Sequence, residues 1–309
     1  MIEISKPDTA KTEALMTLRP LLAGALALVA VARPLQAQTT DERLTELEQL
    51  VQELRALHDL PTDPVEVPVE LVGNEHVRWG YPGGTCAFLI KEHYVTCHND
   101  ETLVPDWVTY HLTRENLDGD AVRRNNFRPD PELPSGQRAE LVDYRHSGFD
   151  RGHMAPAAAF KRSVTAMSET FFLSNMAPQR PNLNRRIWSR LEAQVRTLAE
   201  THGSIWVFTG SLYLDDAGNP ADPVQFIGPN NVAVATHFYK VILCEHATGT
   251  IELFAFMMEN DLDPLPGQPR DYVTSVDAIE ALTQLNFFTA LPEAEENRLE
   301  QITNPWPIS

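Results

Sequence analysis

The sequence predicts an α+β domain on a mixed, mainly antiparallel sheet over residues 70–305. Three observations lead there. Short apolar runs, several alternating at period two, recur along the chain as strands do. Two longer stretches, residues 182–202 and 275–285, carry apolar residues at helical spacing instead. Strands and helices do not alternate regularly, which argues against a parallel sheet built from strand–helix–strand units. With 309 residues, 43% of them hydrophobic, the chain is long enough to bury a full core. No internal repeat or low-complexity tract divides it.

Residues 1–69 read in three pieces. Residues 20–32 are apolar and uncharged, follow Arg19, and lead to Ala37, a small residue before Gln38. That is the layout of a secretory signal within residues 1–37. The run is shorter than the roughly 20 residues of a comfortable membrane span, although an uncleaved anchor competes with the signal reading. Met16 would be the more ordinary start, leaving residues 1–15 as an upstream extension. An exported protein, periplasmic or extracellular and without stable membrane association after cleavage, is therefore expected. Residues 38–60 predict a short coiled-coil helix: Leu44, Leu47, Val51 and Leu54 fall at a, d, a, d. Under three heptads is marginal alone, so this helix either makes a homo-oligomer through residues 41–60 or packs on its own domain. Pro61, Pro64 and Pro68 then break any helix, and residues 61–69 form a stiff linker.

Strands are expected at residues 85–90 and 94–97, turning at Lys91-Glu92. That hairpin would set Cys86 opposite Cys97, a disulfide the sequence allows but does not establish, and leave Cys244 free. Residues 107–112 alternate at period two. Residues 123–131 are polar and read as a loop. Residues 171–175 predict a strand, and 182–202 a helix with Ile187, Leu191, Val195 and Leu198 as its buried stripe, stopped by Gly203. Further strands are expected at 205–209, 232–235, 238–243 and 251–257, then a late helix at 275–285.

The net charge of −18 works against binding a polyanion, but it is unevenly spread. Residues 144–196 hold nine Lys/Arg against three Asp/Glu, whereas residues 200–309 hold three against sixteen. A basic site on an acidic body is compatible with a nucleic-acid enzyme, and the acidic surface also serves solubility.

Chemistry concentrates between Phe149 and Arg196. His153, after Asp150-Arg151-Gly152, is the candidate general base, because imidazole accepts a proton near neutral pH. Asn184 offers an amide oxygen, a hard donor suited to Mg2+, which takes few protein ligands and keeps several waters. Trp188, Glu192 and Arg196 follow it in steps of four along one helix ridge. Glu192 could hold a metal-bound water, and Arg196 could pair with it or reach a phosphate. Without the histidine motif, that row reads better as an ordinary solvated face with an i,i+4 ion pair. Arg151, and Arg123 or Arg124 in the polar loop, suit phosphate oxygens. Asn175 and Gln179 either orient these groups or satisfy a turn before Pro181.

The stretch Asp150-Arg151-Gly152-His153 through Asn184, Trp188 and Glu192 resembles the catalytic core of the DNA/RNA non-specific endonucleases, the ββα-metal or His-Me finger nucleases. Residues 104–112, 124–131, 236–241 and 275–285 are also similar to family segments, so the likeness covers roughly residues 70–300. It implies a ββα-metal nuclease fold and a one-Mg2+ enzyme, Mn2+ substituting, that hydrolyses DNA and RNA without sugar preference. In the roles it implies, His153 is the base, Asn184 the direct metal ligand and Glu192 a ligand through water. Arg151, Arg196 and Arg124 assist at the phosphate, and Asn175 joins the catalytic set. The competing readings are a metal-dependent phosphodiesterase on smaller esters and a non-catalytic nucleic-acid-binding scaffold of the same fold.

Overall fold

The computed structural model describes residues 68–308, Thr85 excepted. The expected signal segment, the coiled-coil helix and all but the last two linker residues lie outside the described residues.

Strands β1 (Ala87–Ile90) and β2 (Val95–His98) form the first hairpin, with Phe88 opposite Cys97. Cys86 and Cys97 are disulfide-bonded, their Cα atoms 5.3 Å apart. The long strand β3 (Pro105–Thr113) leads into helix α1 (Arg114–Leu117), the polar loop and helix α2 (Leu141–Tyr144). Strand β4 (Asp150–His153), helix α3 (Val164–Glu169) and strand β5 (Met176–Gln179) follow. A π-helical turn, Leu183–Trp188, then runs into helix α4 (Ser189–His202). The remaining strands are β6 (Ser204–Leu212), the short pair β7 (Phe226–Ile227) and β8 (Val232–Ala233), then β9 (His237–Glu245), β10 (Ile251–Glu259) and β11 (Val273–Thr274). Helices α5 (Val276–Thr283) and α6 (Glu293–Glu300) end the described chain.

The central sheet has the order β1-β2-β3-β6-β9-β10-β11, with every neighbouring pair antiparallel. Period-two alternation sorts its side chains onto two buried faces. On one, Ile205, Val207, Phe238 and Ile242 pack with Ile187, Leu191, Val195 and Leu198 of the π-turn and α4. On the other, Trp206, Phe208, Tyr239 and Val241 pack with Val276, Ile279, Phe287, Phe288 and Leu299. The sheet is therefore covered on both sides, and its long central strands read as near-continuous apolar runs. The α4 stripe is the one expected, and the helix ends at Gly203, whose φ of +96° suits a residue without Cβ.

Some expected elements shift. Residues 171–175 are not a strand: Leu173–Asn175 is a 3-10 turn, and the strand begins at Met176. Asn175 explains the displacement, because its amide closes on local backbone rather than on a neighbouring strand. Its Oδ1 accepts from Ala155 N at 2.9 Å, and its Nδ2 donates to Thr170 O at 2.8 Å and Ala155 O at 3.0 Å. The strand expected at 232–235 is only Val232–Ala233. The late helix stops at Thr283, where Gln284 turns left-handed with φ 58°. Helix α6 was not foreseen, since Glu293–Glu300 is almost wholly polar and buries only Leu299 and Glu300.

Candidate active site

The site is a ββα unit laid against the sheet. β4 and β5 pair antiparallel with Arg151 opposite Pro178 and Gly152 opposite Ala177, and Arg180-Pro181-Asn182 connects them to the π-turn and α4. Gly152 packs tightly on Gln179: a Cβ there would lie 2.2 Å from Gln179 Oε1, so that side chain would have to move. Asn260, at the end of β10, ties the unit to the sheet. Its Nδ2 donates to Pro178 O and Ala235 O, and its Oδ1 accepts from Arg180 N at 2.7 Å.

His153 is buried, and no protein group engages its Nε2 among the described residues. Phe171 and Phe127 meet the ring edge-on at centroid distances of 5.0 and 5.6 Å. The Arg151 guanidinium sits 4.1 Å from the Phe127 ring, and that of Arg123 lies 5.0 Å from Phe171. Burial first, then the charges of Arg123 and Arg151, push the His153 imidazole down to about 3. The ring is therefore neutral at neutral pH, with one nitrogen lone pair unprotonated.

Asn184 sits in the π-turn, a geometry that recurs at functional sites. Its Nδ2 donates to Asp150 Oδ2 at 2.9 Å, and Arg185 grips the same carboxylate with two bonds of 2.6 and 2.7 Å. Burial raises the Asp150 carboxyl, but hydrogen bonds from Arg185 and Asn184 outweigh it and hold the group below its usual range. This grip orients the Asn184 amide and leaves its Oδ1 without a protein donor among the described residues. A hard oxygen fixed in this way fits Mg2+.

Glu192, two turns further along α4, has its carboxyl raised by burial. The charges of Lys240, Arg196 and Arg123 pull the other way. Lys240 is fully buried on β9. Its Nζ donates to Thr209 Oγ1 and lies 5.0 Å from the Trp188 ring. Burial pushes the Lys240 ammonium down to about 8 although Glu192 supports its charge.

Among the expected residues, His153, Arg151, Asn184, Glu192 and Arg196 belong to this one unit. Arg124 does not join them. It is exposed and makes no hydrogen bond or ion pair among the described residues, whereas its neighbour Arg123 acts on both His153 and Glu192. The difference is local: Arg123 Nε donates to Asn125 Oδ1 at 2.8 Å, and its guanidinium lies against Phe171 beside the histidine. Asn175 is also displaced from the catalytic set, because its amide is spent on the backbone of Ala155 and Thr170. It positions the loop after His153. Sequence reasoning missed Lys240, Asp150 and Asn260. Only Lys240 left a signal, a charged residue inside an otherwise apolar strand.

Residues 72–294 match the family profile described as DNA/RNA non-specific endonuclease. Among relatives, human mitochondrial Endonuclease G is 43% identical over 190 residues, 60% of this chain and 64% of that protein. Nuclease C1 of Cunninghamella echinulata var. echinulata is 38% identical over 70% of this chain and 88% of its own. The mitochondrial nuclease of Saccharomyces cerevisiae is 36% identical over 72% and 71%. The chain thus spans just under two thirds of human Endonuclease G. A solved structure, the EndoG/EndoGI complex described as showing the mechanism of EndoG inhibition, superposes with a TM-score of 0.67 at 34% identity, covering 74% of this chain and 95% of that one. These relatives correct the expectation of export: the human and yeast proteins are mitochondrial by name, which points to mitochondria rather than secretion. Basic, apolar N-terminal segments serve both kinds of targeting, so the stretch after Arg19 did not separate them. By its matched residues and its ββα-metal fold, the chain belongs to the DNA/RNA non-specific endonuclease family.

Proposed function

We propose that the protein is a metal-dependent endonuclease that hydrolyses phosphodiester bonds of both DNA and RNA. The observation that carries this reading is the buried, neutral His153 with its unengaged Nε2, set in one ββα unit with the Asn184 amide oxygen. His153 takes the proton of the attacking water. Asn184 Oδ1 would hold Mg2+ directly and Glu192 through water, and the bound ion supplies charge neutralisation at the phosphoryl and leaving oxygens. Arg151, Arg123 and Arg196 bring guanidinium forks to the scissile phosphate. Exposed Arg185, Arg186 and Arg190 line a groove on the outer side of the π-turn and α4, where they would follow a nucleic-acid backbone independently of sequence.

The acidic body favours one competing reading, in which only small phosphate esters reach the site. Digestion of plasmid DNA and total RNA beside hydrolysis of a small chromogenic diester separates the two. The proposal expects both polymers to be cut far faster than the diester; cleavage of the diester alone would transfer the assignment to the smaller substrate.

A further inference from the structure

We infer that the protein carries a second metal site of different chemistry, formed by His202, Cys244 and His246. His202 is the last residue of α4, Cys244 lies buried in β9, and His246 follows that strand. One ligand atom from each lies within 4.8 Å of the others. The two imidazole rings stand nearly perpendicular with centroids 4.6 Å apart. Two imidazoles and a thiol are the donor set of a borderline-soft divalent ion such as Zn2+, not of Mg2+. A tetrahedral ion with bonds of about 2.0–2.3 Å needs ligand atoms roughly 3.5 Å apart. A separation of up to 4.8 Å therefore closes by at most about 1.3 Å, within reach of ring rotation at two half-buried histidines.

The surroundings support the assignment. Glu252 lies directly opposite Cys244 across the β9–β10 ladder. Its Oε2 is 2.6 Å from His246 Nε2, which leaves Nδ1 to face an ion, the carboxylate–histidine–metal arrangement that fixes ring orientation. His202 makes no side-chain hydrogen bond among the described residues, so no protein partner competes for its ring. On binding, the Cys244 thiol proton leaves to solvent and the thiolate bonds the ion. His202 follows Glu192 by ten residues on α4, about 15 Å along the axis. The site is thus separate from the catalytic unit, and the ion would clamp the far end of the catalytic helix to the sheet.

Metal binding is read without nucleic acid. The full chain, stripped of metal and kept free of Mg2+, is titrated with Co2+ and then Zn2+. Cys86 and Cys97 are tied in a disulfide, so Cys244 is the only free thiol among the chain's three cysteines. We expect one Co2+ to give a thiolate-to-metal charge-transfer band that Zn2+ abolishes, and Zn2+ to raise the Tm. Cys244→Ser should lose the band. His202→Gln, a half-buried helix-end change that leaves the core intact, should weaken binding by at least the about 10–100-fold that loss of an outer-shell partner costs, while plasmid digestion with Mg2+ continues. No charge-transfer band in the wild type, or one unchanged in both variants, would overturn the site whatever the nuclease assays give.

Discussion

At the scale of single residues, burial and neighbouring charges divide labour between the base and the carboxylate. His153 is kept neutral by burial and by Arg123 and Arg151, whereas Glu192 is raised by burial and pulled back by Lys240, Arg196 and Arg123. Lys240 is thus the largest of the charges that oppose the upward shift of the Glu192 carboxyl. Lys240→Met removes the largest compensating charge, so the Glu192 carboxyl should rise further. The acidic limb of kcat/KM should then move to higher pH. A pH–rate profile that superposes on the wild type would remove Lys240 from this role. These interactions were only half legible in the sequence. His153, Asn184 and Glu192 could be read because their types and spacing state the chemistry. Arg123 could not be told from Arg124, because adjacent arginines in a polar loop look alike in sequence and only the contacts of Arg123 with Asn125 and Phe171 separate them. Asn175 looked catalytic because a polar residue beside a histidine motif does not reveal whether its amide faces substrate or backbone.

At the scale of elements, helix α4 and the core strands were visible from periodicity, since each buries a continuous stripe or an alternating row. What periodicity could not show is how the ββα unit is fastened to the sheet. That fastening is Asn260, whose amide joins β5, β10 and the approach to the π-turn through three bonds to backbone. An asparagine at a strand end carries no pattern that distinguishes it from a loop residue. Asn260→Ala leaves buried backbone groups unpaired, each worth about 1–3 kcal/mol. Chemical denaturation should therefore show a loss of about 2–4 kcal/mol, and turnover should drop with it because Arg180 and the turn leading to Asn184 lose their anchor. Wild-type stability in this variant would show that the unit is held by packing alone.

At the scale of the whole molecule, a basic reaction centre stands on an acidic body, and the acidity has a folding consequence of its own. The carboxylates of Asp277, Glu280 and Glu300 converge within 4.8 Å between α5 and α6. Burial, with neighbouring carboxylates adding to it, pushes Glu280 up to about 7 and Glu300 up to about 9. The folded chain thus holds these protons more tightly than the unfolded chain, in which glutamate releases them near 4.5. Their stabilising contribution is complete below about pH 4.5 and is lost as the pH rises towards 9. Without divalent cations, Glu300→Gln should raise the Tm at pH 8 by about 2–4 °C and leave it unchanged at pH 4. An equal shift at both pH values would show that titration is not the cause. The sequence displayed the acidic excess but not this convergence, because α6 has no apolar rhythm from which to predict a helix.

The most direct test of the catalytic assignment is digestion of plasmid DNA and total RNA by the full chain, with Mg2+ or with EDTA, beside His153→Ala. The account predicts Mg2+-dependent cutting of both polymers and a loss of about 10²–10⁴-fold in the variant. Cutting by a folded His153→Ala protein at the wild-type rate would contradict it.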